Sequence, residues 1–88
     1  MKVRFKKAFL KDLEKLPANF RKTVENLVFE EIPKTQEFSD IKNTKKVKGD
    51  ENSYRVRIGN SRIGFEYRDK EIVFYRVLHR KDIYKYFP

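Results

Sequence analysis

The amino-acid sequence predicts an α+β fold in the order β-α-α-β-β-β(-β), with a helical hairpin packed on a twisted antiparallel sheet and a short C-terminal helix. Three observations carry this expectation. The apolar period switches from two to 3.6 at about Lys7 and returns to two by Tyr54. Two-residue turn signals, Gly59-Asn60 and Asp69-Lys70, separate the last three alternating runs. At 88 residues the chain has room for one domain, residues 1–88, which should bury roughly 60–68% of its unfolded surface.

Each element follows from local pattern. Val3 and Phe5 alternate with Lys2, Arg4 and Lys6, as in a half-buried first strand. Phe9, Leu10, Leu13 and Leu16 then recur at helical spacing until Pro17 stops the run. Phe20, Val24, Leu27, Val28 and Ile32 form one stripe, a second helix ending before Pro33. A connection of about three residues should set the two helices nearly antiparallel with one shared apolar face. Lys34 to Asn43 reads as a loop anchored by Phe38 and Ile41. KKVKG (Lys45 to Gly49) is a short basic strand candidate, followed by a polar turn at Asp50 to Ser53. Tyr54 to Ile58 alternates strictly, Arg62 to Arg68 returns, and Ile72 to His79 is the last strand. Ile83 and Phe87, four apart within Arg80 to Phe87, fit a final helical turn packed on the body.

Composition narrows the function. Hydrophobic residues are 39% of the chain and eight Phe and five Tyr supply a modest core, so disorder is not expected despite 40% charged residues. No apolar run approaches the ~20 residues of a membrane span, and the start MKVRFKKAF lacks the apolar middle of a signal peptide. The expectation is a soluble, cytoplasmic protein with no membrane partner. Without cysteine, disulfides, thiol nucleophiles and thiolate metal sites are excluded, and one His cannot build a zinc site alone. A formal charge of +9, concentrated in residues 45–88, is the footprint of a nucleic-acid or ribosome binder.

Hairpin register turns that charge into a candidate site. With Gly59-Asn60 as the loop, Ile58 opposes Ser61, Arg57 opposes Arg62, Val56 opposes Ile63 and Arg55 opposes Gly64. Tyr54, Val56, Ile58, Ile63, Phe65 and Tyr67 then share the face that receives the helices, while Arg55, Arg57, Arg62, Gly64 and Glu66 share the other. Closing the next hairpin at Asp69-Lys70 sets Phe65 against Phe74, Gly64 against Tyr75 and Arg62 against Val77. It also leaves Arg76 on the core face, where it must sit at the rim unless the register differs slightly. Like charges across an antiparallel pair are destabilising, so three converging arginines point to an anion pocket. Gly64 would leave space beside Arg55, and Tyr75 could stack on a base.

The stretches KKVKG, YRVRIGNSRIGFEY and VLHRKDIYKYF, with KDLEKLP (Lys11 to Pro17) before them, resemble the RelE/ParE superfamily of toxins from prokaryotic toxin–antitoxin systems. HRKDIY (His79 to Tyr84), where an Arg precedes a Tyr by four residues, is similar to the RelE branch. The resemblance implies a compact endoribonuclease that enters the ribosomal A site, cuts mRNA and inhibits translation; the predicted site face lacks the Asp/Glu cluster of a two-metal nuclease, so metal-independent, cofactor-free chemistry is expected. The resemblance also implies a neutralising antitoxin partner, expected to be acidic. It places the basic positions of the family on Arg55 and Arg57, the arginine of the following strand on Arg62, the arginine after the last strand on Arg80, and the C-terminal tyrosine on Tyr84, with Tyr86 a second candidate. Where the best-known members often carry lysine, this chain has Arg55 and Arg57, and a guanidinium hardly deprotonates.

The chemistry assigns roles. Attack of a ribose 2′-OH on the adjacent phosphorus needs charge stabilised on the non-bridging oxygens and a protonated 5′-oxygen leaving. Arg62 with Arg57 or Arg55 would clamp the phosphate, Arg80 would neutralise or protonate the leaving oxygen, and Tyr84 would stack on a base or help remove the 2′ proton. Lys46, Lys48, Arg55, Tyr75, His79 and Tyr86 are the further RNA or phosphate contacts, His79 also being the residue type best suited to acid–base work near neutral pH. Glu66 is secondary, offsetting its basic neighbours. Without a good base, much of the rate must come from substrate geometry supplied by the ribosome. Two alternatives stay open: a ParE-like inhibitor of DNA gyrase without catalysis, and a non-catalytic RNA- or ribosome-binding module.

Overall fold

In the computed structural model, which describes residues 1–88, the chain runs β1 (Lys2–Phe5), α1 (Lys7–Glu14), α2 (Ala18–Glu25), β2 (Thr44–Lys46), β3 (Ser53–Ile58), β4 (Ser61–Arg68), β5 (Glu71–His79) and α3 (Arg80–Tyr86). The strands form one sheet in the order β1-β5-β4-β3-β2. β2 to β5 are antiparallel, but β1 lies parallel to β5, with Lys2 beside Glu71 and Phe5 beside Phe74. The sheet is therefore mixed at one edge, because the connection from β1 to its partner crosses the sheet through the helices. No helix is long and apolar enough to cross a membrane.

Helical periodicity accounts for one layer. Phe9 and Leu13 of α1, with Val24, Val28 and Ile32, pack on Val56, Ile63, Phe65, Ile72, Phe74 and Val77 of the sheet. A fully buried side chain of this size contributes about 1.5–3 kcal/mol, so this layer carries most of the stability. The Phe74 ring stands 5.3 Å from Phe5, 5.4 Å from Phe9 and 6.0 Å from Phe65. The second helix does not stop before Pro33. It continues from α2 through a wider stretch, Asn26–Glu31, into a last turn at Ile32–Lys34. A proline ring in a regular α-helix would strike the carbonyl four residues earlier, and i→i+5 winding before Pro33 avoids that register. The loop beyond is anchored as its sequence suggests. Phe38 stacks on Tyr67 at 4.1 Å, and Ile41 is buried.

Turn chemistry sets the hairpins. Gly59 alone has a positive φ (59°) in the β3–β4 turn, the pattern of a type II′ turn with glycine first. Asp69 (52°) and Lys70 (64°) are both left-handed between β4 and β5, the type I′ pattern. The β3–β4 register is the one the sequence predicts, from Ile58–Ser61 to Arg55–Gly64. Tyr67–Ile72 and Phe65–Phe74 also pair as predicted, but a bulge follows. Gly64 faces Arg76 rather than Tyr75, and Arg62 faces Leu78 rather than Val77. One extra residue on β5 resolves the misplaced Arg76. β1 ends at Phe5, so β5 beyond Phe74 has a free edge, and there the Asp12 carboxylate of α1 takes the place of a strand. It accepts from Val77 N (3.1 Å), Arg76 Nε (2.7 Å) and Arg76 Nη2 (3.0 Å). This hydrogen bonding holds the Arg76 guanidinium above its ordinary pKa.

A second, smaller core lies on the opposite face. Ile83 and Phe87, at the end of the chain, pack with Val47, Tyr75 and Leu78. The ring of Phe87 sits where a side chain on residue 64 would be. A Cβ placed on Gly64 would lie 2.5 Å from two Phe87 ring atoms. Glycine at 64 is thus what lets α3 dock on β4.

Candidate nucleic-acid interface

Strand parity and α3 together build the site. Cross-strand pairing of Lys45 with Arg55, and of Arg57 with Arg62, puts four cations on the face that α3 partly covers. Tyr84 projects from α3 and its ring centroid lies 4.4 Å from Arg55 Cζ, a cation–π contact. Asn43, Thr44, Lys45, Arg55, Arg57, Arg62 and Tyr84 line a cleft of about 420 Å³. A larger hollow of about 710 Å³ opens on the helix side, lined by Leu27, Ile32 and Val56 and by charges of both signs, Glu31 and Asp40 with Lys22 and Lys42. The smaller cleft gathers cations alone and is the candidate site.

Its electrostatics are unusual for a sheet surface. No carboxylate lines the cleft, and none of its four cations belongs to the three ion pairs of the molecule. Neutral acceptors orient two guanidiniums without cancelling their charge. Arg62 Nη1 donates to the carbonyls of Ser61 (2.9 Å) and Gly59 (3.2 Å), and Arg57 Nη2 donates to Asn43 Oδ1 (3.3 Å). Like charges facing across a ladder repel, so the fold holds here a field that a bound anion relieves. Tyr84 is 69% exposed, leaving its outer ring face open for stacking while Arg55 supports the inner one.

Of the residues proposed from the sequence, Arg55, Arg57, Arg62 and Tyr84 come together in this cleft. The others are placed differently. Gly64 does not leave room beside Arg55, because Phe87 fills the gap. Tyr75 is not free to receive a base. It packs on Phe87 (5.6 Å) and donates to Glu66 Oε1 (2.8 Å), and burial, then that hydrogen bond, pushes its hydroxyl pKa up. Glu66 is engaged by Tyr75 rather than by the arginines. Lys46 pairs with Tyr54 and so faces the helix side, and exposed Lys48 lines no part of the cleft. His79 caps α3, its Nδ1 accepting from Lys81 N (3.1 Å). Arg80 is exposed at the start of α3, where its N–H bonds Asn60 O (2.8 Å), and it is not among the residues lining the cleft. Tyr86, two residues from Tyr84 and so on the other side of α3, lies under Arg76 at 5.1 Å.

Lys45 is the cleft cation that the sequence reading passed over. Val47 was the signal for it: the single apolar residue of KKVKG must turn toward a core, and Lys45 shares its face. Asn43 was missed as well, because it lies in a segment without periodicity.

Comparison with known proteins bears on the whole chain. The profile of the family described as ParE toxin of type II toxin–antitoxin system, parDE, matches residues 3–84. Toxin RelE3 of Methanocaldococcus jannaschii is 49% identical over 89 residues, covering 100% of both chains. The toxin–antitoxin complex RelB–RelE from Methanococcus jannaschii has a chain 45% identical to this one, with a TM-score of 0.79 over 97% of this chain and 99% of that one. The isolated E. coli RelE toxin shares the fold at 17% identity and a TM-score of 0.66, covering 96% and 90%.

Proposed function

The chain belongs to the RelE/ParE superfamily of toxins of type II toxin–antitoxin systems, and on that premise we propose that it is a ribosome-dependent mRNA endoribonuclease. The observation that carries this reading is the basic cleft itself: Lys45, Arg55, Arg57 and Arg62 with no carboxylate among them, and Tyr84 laid against Arg55. A phosphodiester entering the cleft would place its non-bridging oxygens among guanidiniums, whose paired N–H groups match the two oxygens. The base beside it would stack on the open face of Tyr84.

In the reaction the ribose 2′-oxygen bonds to the adjacent phosphorus and the bond from phosphorus to the 5′-oxygen breaks. The 2′-OH gives up a proton and the departing 5′-oxygen takes one, leaving a 2′,3′-cyclic phosphate. Arg57 and Arg62 stabilise the charge on the pentavalent phosphorus group. Tyr84 orients the nucleotide by stacking and would help remove the 2′ proton. Arg80, which opens α3 beside the β3–β4 turn and lies outside the cleft lining, would have to swing inward to reach the leaving oxygen. Guanidiniums bind and stabilise but do not readily exchange protons, so in-line geometry imposed on the message by the ribosome would supply much of the rate. Weak cleavage of free RNA follows.

Reconstituted translation with variants tests this. Arg62→Ala and Tyr84→Ala should remove mRNA cleavage while leaving the fold intact, since both side chains lie outside the two cores. Cleavage retained in both would contradict the site. The matched family profile carries the ParE description, which favours a second reading, inhibition of DNA gyrase without catalysis. On that reading Tyr84→Ala would leave gyrase inhibition unchanged. The partner in either case is an antitoxin. The positive field of the chain suits an acidic one.

A further inference from the structure

Arg57 stands at a boundary. β2 begins at Thr44, which pairs with Val56, so Arg57 lies one residue beyond the last strand pairing on that side. A single residue replaces the missing strand. Asn43 O accepts from Arg57 N (3.0 Å), and Asn43 Oδ1 accepts from Arg57 Nη2 (3.3 Å), so both ends of the arginine are held from one position. Arg57 and Asn43 line two hollows at once, the basic cleft on one face and the larger groove on the other. In the groove Glu31 and Asp40 are balanced by Lys22 and Lys42, whereas the cleft contains no carboxylate. Repulsion from Arg55 and Arg62 therefore drives an unrestrained Arg57 guanidinium out of the cleft and toward the charge-balanced groove.

We infer that Asn43 is a positioning residue, which holds the Arg57 guanidinium in the basic cleft against the repulsion of the cations around it. This rests on the ribonuclease reading and names one more residue of the same site. The residue type fits both demands. Asn43 has a φ of 61°, a left-handed conformation that asparagine tolerates better than most residues, and its amide supplies an acceptor that does not neutralise the guanidinium. A glycine would keep the backbone and lose only the amide.

That separation makes the test clean. Cleavage of ribosome-engaged mRNA should fall about tenfold in Asn43→Gly, with the melting temperature near that of the wild type. In an Arg57→Ala background the same change should add less than about twofold, because the residue it positions is gone. Asp40→Asn or Glu31→Gln should restore part of the loss in Asn43→Gly, which a merely structural role would not allow. Wild-type cleavage by Asn43→Gly, or an equal loss with and without Arg57, would overturn the inference. If the wild type itself cuts no mRNA, the ribonuclease reading fails separately, and affinity for a single-stranded RNA oligonucleotide becomes the readout. Asn43→Gly and Arg57→Ala should then each lower the salt slope by about 0.7, and an unchanged slope in Asn43→Gly alone would overturn the inference there.

Discussion

Replacing Gly64 by alanine should cost more than its size suggests, and the cost should run through Phe87. The added Cβ would stand 2.5 Å from Cγ and Cδ2 of the Phe87 ring and 3.0 Å from Cε2. Carbon atoms in contact prefer about 3.5–4.0 Å, so the ring must retreat by about 1 Å. Phe87 is only 4% exposed and is held among Ile83, Val47 and Tyr75. Overpacking of this kind costs about 1–3 kcal/mol, and at about 4–8 °C per kcal/mol for a domain of this size the melting temperature should drop by roughly 5–20 °C. α3 has seven residues and its apolar anchors are Ile83 and Phe87, so undocking the helix is the cheapest relief. That would carry Tyr84 away from Arg55, and activity should fall further than stability. Urea unfolding followed by circular dichroism on Gly64→Ala, Phe87→Ala and the double variant tests the origin of the effect. Phe87→Ala alone should cost about 3–5 kcal/mol, and adding Gly64→Ala to it should cost almost nothing. Additive losses, or a Gly64→Ala protein as stable as the wild type, would refute the argument that residue 64 is glycine in order to admit Phe87.

Three further outcomes are expected. Asp12→Ala removes the acceptor of Arg76 and of Val77 N at the free edge of β5, and should cost about 2–4 kcal/mol by chemical denaturation, whereas a loss under 1 kcal/mol would mean that water replaces the carboxylate. Lys70→Gly relieves a left-handed non-glycine residue in the β4–β5 turn and should raise stability by up to about 1 kcal/mol, the strain removed exceeding the added chain entropy; a decrease would show the turn to be unstrained. Tyr75 has its pKa raised by burial and by its bond to Glu66, so its stabilising contribution is present below the unfolded tyrosine value, about 10, and is lost as pH rises through the folded one. The advantage of the wild type over Tyr75→Phe should therefore shrink in alkaline solution, and an advantage constant with pH would contradict the shift.

Much of this fold was legible because its signals are local. Alternation in Tyr54 to Ile58 and Arg62 to Arg68, with a turn that needs Gly59, determines the register that brings Arg55, Arg57 and Arg62 to one face. What the sequence concealed depends on contacts between distant segments. The bulge in β5 has no local mark except that unbroken pairing would bury Arg76, a conflict whose answer, Asp12, lies 64 residues earlier. Gly64 carries no hint of whether its gap holds a ligand or a side chain, and only the docking of the chain terminus shows Phe87 there. Lys45 was within reach, because Val47 fixes the parity of its strand, yet Lys46 and Lys48 drew attention through charge alone. Asn43 was beyond reach, since its role comes from two hydrogen bonds to a residue 14 positions away.

If the basic cleft cuts message, cutting should depend on presentation by the ribosome. Primer extension on an mRNA translated in a reconstituted system, run with and without the protein and beside the same RNA free in solution, tests it most directly, with gyrase supercoiling as the parallel assay. Cuts are expected on ribosome-engaged message, with weak or no cutting of free RNA and unperturbed gyrase. Intact message together with inhibited gyrase would contradict that expectation.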